Sequence, residues 1–299
     1  MKSVYVYLNG GLGNQMFQYA TARALALRTG AELVVDTRSG FVRDFQYHRS
    51  YELNYLPIQA RVATKLERLP IWFFRAENKL RRHELNLIQQ RLYGNFLVET
   101  QRRFHKEIIH YRHPAATWLV GYWQSPLYFQ DCADTLCAEL MPPQPTQQRF
   151  LEIGQLLRET ESVALGIRLY EESATPSAHA MDGLIKTVTE VNAAIARLLT
   201  LQPDAKVFLF CTHRSPNLSE LNLPDSTVFL TPDDGYEGTI ESLWLLAQCK
   251  HHIFTNSSYY WWGAWLSKVL YLSTNQPQHI YAADNFINQD GLCAEWKKF

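Results

Sequence analysis

The first 36 residues follow the order strand, glycine loop, helix and strand, and this pattern constrains the fold more than any other feature. Residues 3–8 (SVYVYL) are rich in β-branched, aromatic and aliphatic residues, as in a buried strand. A loop follows at residues 9–14 (NGGLGN), and apolar residues then recur at helical spacing from Gln15 to Arg28. Residues 32–36 (ELVVD) complete a predicted βαβ unit with parallel strands.

The rest of the chain also alternates predicted strands and helices, but less regularly. A basic helix is predicted over residues 61–92, a strand over 118–123 and a linker over 141–148 (MPPQPTQQ). Further strands are predicted at 162–169, 206–210, 227–230 and 252–255, and helices at 182–201, 239–249 and 259–270. The sequence therefore predicts two doubly wound α/β domains, 1–148 and 149–299, facing a cleft.

Charge separates the same two halves. The 299 residues carry 29 Lys+Arg and 29 Asp+Glu, so the net charge is zero, which excludes a protein that coats nucleic acid. Residues 1–150 nevertheless hold 19 basic and 12 acidic residues, a net +7, and residues 151–299 hold 10 and 17, a net −7. The basic half favours an electrostatic contact with an anionic membrane surface through residues 61–106.

Cysteine use and hydropathy indicate the compartment. The five cysteines are scattered and form neither a disulfide framework nor a CxxC metal pair. No signal peptide and no apolar run of about 18 residues is visible. We expect a cytoplasmic protein, with peripheral contact at the inner face of the cytoplasmic membrane as an open alternative.

The glycine loop is the first candidate site. Its spacing matches neither the dinucleotide-binding GxGxxG nor the P-loop, which needs a Gly-Lys-Ser/Thr ending. Glycines after a strand are equally typical of a tight turn and of a backbone that approaches an anionic ligand. The amides of Asn14 and Gln15 favour the second alternative, with a sugar or nucleotide as ligand.

Two features of the second half have the same two interpretations, structural and functional. Residues 256–258 (NSS) precede a predicted helix and would either cap it or cradle an anion. Arg168 lies late in an otherwise apolar predicted strand and would either pair with Glu171 or Glu172 in the core or bind a diphosphate with its planar guanidinium.

Other polar pairs give weaker signals. Asp233 and Asp234 resemble a metal-binding carboxylate pair, but TPDDG is a common turn composition, and we favour the turn. His251 and His252 lack the companion ligands of a metal site. His213 follows a predicted strand and would lie either in the cleft or on the surface.

Three motifs in the same order resemble those of bacterial α-1,2-fucosyltransferases of glycosyltransferase family 11. They are residues 10–20 (GGLGNQMFQYA), residues 121–125 (GYWQS) with 128–129 (YF), and residues 241–266, which include CKH and NSS with WWGAWL. They span most of the chain. The resemblance implies a GT-B fold of two Rossmann-like domains, a GDP-fucose donor, inversion at the anomeric carbon and no bound metal.

The resemblance also assigns residue roles. By motif position Arg168 contacts the donor diphosphate, and Glu171 is the candidate for the group that accepts the acceptor's proton. The implied donor-binding residues are Gly10, Gly11, Gly13, Asn14, Gln15, Arg168, His213, Asn256, Ser257 and Ser258. Trp123, Gln124 and Tyr128 are candidates for acceptor binding or for the core.

The chain departs from the family in the donor-binding half. The family's His-x-Arg-Arg-x-Asp motif reads Gly166-Ile167-Arg168-Leu169-Tyr170-Glu171, and its Ser-Asp-Asp reads Cys211-Thr212-His213. A fucosyltransferase acting on galactose O2 of an oligosaccharide or lipid-linked surface glycan, such as lipopolysaccharide O-antigen, is therefore one of three expectations. The others are a transferase for another GDP-sugar and a non-catalytic glycan- or nucleotide-binding relative.

Overall fold

The chain forms two compact units in a computed structural model. Unit 1 comprises Met1–Leu140 and Asn288–Gly291, and unit 2 comprises Met141–Ile287 and Leu292–Phe299. The structure describes residues 2–42, 44–45, 47–69, 96–111, 116–168, 185–212, 214, 216–271 and 277–299.

Unit 1 is built on a parallel sheet with the order β3-β2-β1-β5-β4 among the described residues. The strands are β1 (Ser3–Tyr7), β2 (Glu32–Asp36), β3 (Arg61–Val62), β4 (Phe96–Val98) and β5 (Ala116–Val120). Helix α2 (Ala133–Leu140) ends the first stretch of the unit. Because β1 and β5 lie at the centre and are apolar, they form the core of the sheet.

Helix α1 (Leu12–Thr29) connects β1 to parallel β2, and the predicted βαβ unit is confirmed. Its predicted apolar face is buried except for Leu27, which lies in the last turn. Gly30 ends the helix with φ 62°, a conformation that glycine adopts readily, and its N–H bonds to the carbonyls of Ala26 and Leu27.

The basic segment that begins at residue 61 starts as a strand, so the predicted helix 61–92 is wrong over residues 61–69. Residues Lys65–Glu67 form a single 3-10 turn. The guanidinium of Arg61 lies 3.0 Å from Glu32 and 2.8 Å from Glu67, so β2 and two ion pairs fix this segment. Local helical spacing could not reveal these partners; residues 70–95 lie outside the described part.

Unit 2 contains a second parallel sheet, with the order β11-β10-β9-β6-β7-β8 within the described residues. The strands are β6 (Ser162–Gly166), β7 (Lys206–Phe210), β8 (Val228–Phe229), β9 (His251–Phe254), β10 (Ile280–Ala282) and β11 (Lys297–Lys298). The four predicted strands are confirmed, the one at 206–210 with its predicted bounds and the other three with shorter or shifted bounds. The two Rossmann-like units confirm the predicted α/β class.

The helices of unit 2 are α3 (Gln148–Glu159), α4 (Val188–Leu201), α5 (Thr239–Gln248) and α6 (Ser258–Tyr271). Helix α4 begins later than predicted because Thr187 and Glu190 form a capping box at its start. Gly263 of α6 allows close packing on α5, since a β-carbon there would lie 2.6 Å from Cβ of Leu246. None of the helices in the described part is long and apolar enough to cross a membrane.

The four residues Asn288–Gly291 return to unit 1 after most of unit 2 has been completed. Ser125 donates from Oγ to the carbonyl of Asp290 at 2.6 Å, and Gln289 donates from its N–H to the carbonyl of Arg102 at 2.9 Å. Backbone polar groups thus attach this short segment to the loop after β5 and to the loop after β4.

Candidate functional site

Each sheet has a switch point, where successive strands are added on opposite sides of a central strand. In unit 1 it lies between β1 and β5, and in unit 2 between β6 and β9. Ligands of open parallel sheets bind beyond the carboxyl ends of the strands at such points. In unit 1 these ends lead into residues 9–11 and 121–125, and in unit 2 into residues 167–168 and 255–257.

Gln18 connects the two loops at the switch point of unit 1. Its Nε2 donates to Oδ1 of Asn9 at 2.5 Å and to the carbonyl of Gly121 at 3.1 Å, and its Oε1 accepts from the Asn9 N–H at 3.1 Å. The side chain is fully buried. Sequence reasoning missed this residue, although a glutamine within a buried helix was a signal that it has fixed partners.

Gln15 holds a third segment against the glycine loop. Its Nε2 donates to the carbonyls of Gly10 (2.9 Å) and Ser50 (2.8 Å), and its Oε1 accepts from the N–H of Glu52 at 2.9 Å. The side chain is fully buried and both amide protons are used. This corrects the expectation that Gln15 contacts the donor: it shapes the loop instead.

The predicted acceptor-side aromatic residues lie in the core. Trp123 and Tyr128 are both 0% exposed and pack edge to face with ring centroids 5.7 Å apart. Neither ring presents a face to a sugar, which corrects the acceptor-binding expectation in favour of the core alternative. The backbone of Trp123 is left-handed (φ 54°), in a turn that no sequence period reveals.

Gln124 is buried but reaches the glycine loop. Its Nε2 donates to Oδ1 of Asn14 at 2.8 Å. Asn14 itself is half-buried at the first turn of α1. Gln124 therefore acts on the candidate site through Asn14.

The glycine loop opens onto the amino end of α1. Gly10 has φ 74°, and a β-carbon there would lie 2.7 Å from Nδ2 of Asn14, so a larger residue does not fit. Gly11 caps the helix without a side-chain hydrogen bond, and no acidic residue lies in the first turn. Gly13 is buried within that turn. The helix dipole and its first N–H groups suit an anionic or strongly polar group.

Arg49 is a candidate that sequence reasoning missed. Its Cζ and Nε lie 3.9 Å from the position of a β-carbon on Gly11, and its guanidinium lies over the ring of Tyr47, 5.6 Å from the centroid. The hydrogen bond from Gln15 to Ser50 brings it there. The sequence of the glycine loop gave no indication that Arg49 lies close to Gly11.

Glu99 is a second residue that the sequence did not single out. It is 8% exposed, and its Oε2 accepts hydrogen bonds from the N–H groups of Tyr122 (2.8 Å) and Trp123 (3.2 Å). Gly121 lies against it, since a β-carbon there would be 2.4 Å from Cβ of Glu99. The carboxylate therefore shapes the turn after β5.

In unit 2, Arg168 lies two residues beyond the end of β6 and is half-buried. Its N–H donates to Oγ1 of Thr255 at 2.8 Å. Arg168 therefore lies at the carboxyl edge of the sheet, as the sequence predicts.

Residues 256–258 begin helix α6. The Oγ of Ser257 accepts from the N–H of Tyr260 at 3.4 Å, so the capping interpretation of the NSS turn is confirmed. Asn256 and Ser257 are each 5% exposed, and Ser258 is half-buried. The anion-cradle alternative uses the same helix terminus and stays a prediction.

Two predicted site residues, Glu171 and His213, lie outside the described residues. Asp233 and Asp234 form a 3-10 turn that Gly235 ends with φ 79°, and Thr231 donates to Asp234 at 2.6 Å, so the turn interpretation is confirmed. No three His, Cys, Asp or Glu side chains in the described part lie close enough together to hold a metal ion.

Two curated relatives match nearly the whole chain, although no family model matches it. An alpha-1,2-colitosyltransferase of Escherichia coli is 29% identical over 303 residues, which cover 99% of this chain and 98% of the relative. The O-antigen biosynthesis glycosyltransferase WbnK of Escherichia coli is 26% identical over 304 residues, which cover 94% and 96%. The resemblance to bacterial glycosyltransferases is thereby confirmed over the chain length.

Solved glycosyltransferase structures resemble the chain more distantly. Fucosyltransferase NodZ from Bradyrhizobium has a TM-score of 0.48 and 17% identity, with 88% of this chain and 92% of that chain covered. ADP-heptose lipopolysaccharide heptosyltransferase II of Escherichia coli has a TM-score of 0.45 and 13% identity, with 100% and 90% covered. The chain's own two Rossmann-like units agree with the predicted GT-B class.

Proposed function

We propose that this protein is an inverting, metal-independent glycosyltransferase that moves L-fucose from GDP-fucose to a hydroxyl group, galactose O2, of a bacterial surface glycan. The similarity to an α-1,2-colitosyltransferase and to an O-antigen glycosyltransferase supports this class of reaction. The observation that supports the site is the position of Arg168: a hydrogen bond from its backbone N–H holds it at the switch point of unit 2.

In the proposed reaction, Arg168 binds the diphosphate of the donor. Its guanidinium forms paired, charge-assisted hydrogen bonds with phosphate oxygens, and the amino end of α6 adds its N–H groups. Negative charge grows on the leaving GDP as the bond to the sugar breaks. A fixed cation and fixed dipoles stabilise that charge by about 3 kcal/mol for each donor group, which explains how the reaction proceeds without a metal.

The acceptor hydroxyl attacks from the face opposite to the leaving group, so the configuration at the anomeric carbon inverts. Glu171, by its motif position, accepts the proton. In unit 1, the N–H groups of the glycine loop and the amide of Asn14 provide polar recognition of a sugar hydroxyl or phosphate.

A second candidate is transfer of colitose, which the 29% identical relative favours. Colitose is fucose without the 3-hydroxyl group. A site that hydrogen-bonds this hydroxyl would reject GDP-colitose by about 10⁴-fold, because its own polar groups would be left unpaired. A site with no polar group for the 3-hydroxyl would discriminate far less between GDP-fucose and GDP-colitose. Comparing the transfer rates from these two donors therefore distinguishes the two candidate functions.

The test incubates the full chain with GDP-fucose, GDP-colitose or GDP-mannose and a panel of galactose-terminated oligosaccharides. We expect GDP release and an α-1,2-linked fucosyl product, with a rate unchanged by a chelator. Preference for GDP-colitose would establish the second candidate. Absence of both transfer and slow donor hydrolysis with all three GDP-sugars would overturn the enzyme proposal in favour of a binding protein.

A further inference from the structure

Thr255 fixes the backbone on both sides of Ile167. Its N–H donates to the carbonyl of Gly166 at 3.1 Å, and its Oγ1 accepts from the N–H of Arg168 at 2.8 Å. Thr255 is 1% exposed, so solvent does not compete for its hydroxyl. The residues that lead from β6 to Arg168 therefore follow the end of β9.

Tyr260 fixes the same segment from helix α6. Its Oη lies 3.1 Å from the carbonyl oxygen of Phe210, at the end of β7, and 3.3 Å from that of Ile167. The single phenolic proton is shared between the two carbonyls or donated to one of them. Tyr260 thus links the ends of β6 and β7 immediately before Arg168.

The ring of Tyr260 occupies the space beside Gly166. A β-carbon on Gly166 would lie 2.5 Å from Cγ of the ring, much closer than van der Waals contact. Tyr260 is 7% exposed and its ring is enclosed by the fold. The absence of a side chain at residue 166 is therefore what allows α6 to place a tyrosine hydroxyl at the strand ends.

We infer that Thr255 and Tyr260 are positioning residues for Arg168: together they hold its backbone so that the guanidinium is directed before the donor arrives. The inference rests on the proposed role of Arg168 in donor binding. Neither residue needs to touch the donor. Preorganisation of a long, flexible side chain increases affinity because less conformational freedom is lost on binding.

The test measures the dissociation constant of GDP for the full chain by isothermal titration calorimetry. Tyr260→Phe keeps the ring and removes the hydroxyl, and we expect about fivefold weaker GDP binding, the effect of one lost hydrogen bond. Thr255→Val should weaken binding similarly, and Thr255→Ser, which keeps a hydroxyl, should recover most of the loss.

A matched control lies in the same helix. Tyr271 donates from Oη to the carbonyl of Gln248 at 2.6 Å, at the other end of α6. Tyr271→Phe removes an equivalent hydroxyl–carbonyl bond and should lower the melting temperature without changing GDP affinity. A merely structural role for Tyr260 would give the same pattern in both variants and would overturn the inference.

Combination with Arg168→Ala separates the inference from the function on which it rests. In the Arg168→Ala chain, Tyr260→Phe should cause no further loss of GDP affinity. If Arg168→Ala weakens GDP binding but Tyr260→Phe and Thr255→Val do not, the positioning role is wrong and the proposed function stands. If Arg168→Ala leaves GDP binding unchanged, the role of Arg168 fails and the inference fails with it.

Discussion

Gln124 donates a hydrogen bond from Nε2 to Oδ1 of Asn14 at 2.8 Å, and this bond fixes the orientation of the Asn14 amide. The Nδ2 of Asn14 accordingly lies over the glycine loop, 2.7 Å from where a β-carbon of Gly10 would be. The loop after β5 therefore sets the direction of the Asn14 amide N–H groups at the first turn of α1.

Replacement of Gln124 by leucine should lower transfer without unfolding the chain. The variant keeps most of the buried volume but releases the Asn14 amide, and we expect kcat/KM to fall about tenfold, the effect of one misplaced hydrogen bond. Steady-state kinetics measure this fall. Gln155→Leu on the exposed face of α3 is the control; an equal effect in both variants would contradict a site-specific role.

Arg168→Ala should reduce transfer from GDP-fucose by about 10³-fold, because a charge-stabilising donor is lost from the transition state. The transfer rate of Arg168→Lys should lie between those of the unaltered chain and of Arg168→Ala, because an ammonium group keeps the charge but not the planar, forked guanidinium. Turnover rates and melting temperatures of each variant provide the measurement. Arg197→Ala, at an exposed position of α4, should retain normal activity. A near-normal rate for a folded Arg168→Ala chain would remove its catalytic role.

Two glycines of unit 1 should differ sharply in their tolerance of alanine. A β-carbon on Gly40 would lie 1.9 Å from the carbonyl oxygen of Leu8, a backbone atom that cannot move aside. We expect Gly40→Ala to lower the free energy of unfolding by about 3 kcal/mol. At Gly30 there is nothing within 4 Å, and only its φ of 62° opposes a side chain, at a cost of about 1–2 kcal/mol. Urea unfolding of both variants tests this order, and the reverse order would refute the steric argument.

Acidification should destabilise unit 2 through His251. Its Nδ1 accepts from the N–H of His279 at 3.0 Å, its Nε2 lies 3.1 Å from Glu161, and Lys250 pairs with the same carboxylate at 2.5 Å. Burial lowers the pKa of His251 to about 4, and the hydrogen bond to Glu161 only partly offsets this. An unfolded histidine has a pKa of about 6.5, so the unfolded chain binds more protons than the folded chain between pH 6.5 and about 4. The free energy of unfolding therefore decreases as the pH is lowered through this window.

Glu161 acts in the same direction. Partial burial raises the pKa of its carboxyl, but hydrogen bonds from Lys250 and His251 outweigh this and lower it overall. The stability this contributes at neutral pH is lost as the carboxyl protonates. We expect His251→Gln to reduce the loss of stability between pH 7 and 4.5 by about 2 kcal/mol in denaturant titrations. The exposed His110→Gln should leave it unchanged; equal pH profiles for His251→Gln and the unaltered chain would refute the assignment.

Basic residues of unit 1 should bind anionic membranes if the acceptor is carried on lipid. Arg102 and Arg103 are exposed, whereas the guanidinium of Arg61 forms ion pairs with Glu32 and Glu67. The double variant Arg102→Glu, Arg103→Glu should weaken sedimentation with phosphatidylserine vesicles at least tenfold, at about 1 kcal/mol per charge removed.

The matched control reverses two basic residues of unit 2, Arg197→Glu and Lys298→Glu, and should bind vesicles normally. Binding should also fall as salt is added, because the Debye length shortens to about 8 Å at physiological ionic strength. Binding that is independent of salt, or equal in the two double variants, would exclude an electrostatic contact through unit 1.

The amino-acid sequence by itself determined the periodic features of this protein. Apolar spacing located β1, α1, β2 and the central strands of unit 2, because these elements are buried on predictable faces. It also located Arg168 at a strand end, since a charged residue in an apolar run needs a special position. Short motifs pointed to the glycosyltransferase class, which whole-chain similarity supports.

Only the tertiary structure decided what the polar side chains do. Gln15 and Gln18 occupy neighbouring turns of α1, yet each also bonds to a distant segment, at residues 50–52 and 121, which no local pattern connects to them. Trp123 and Tyr128 look suited to stack on a sugar, but the fold buries both in the core. Gly166 of β6 and Tyr260 of α6 pack against each other although 94 positions separate them. Hydrogen bonding and steric exclusion act over a few ångströms in space, so their consequences depend on which distant segments the fold brings together.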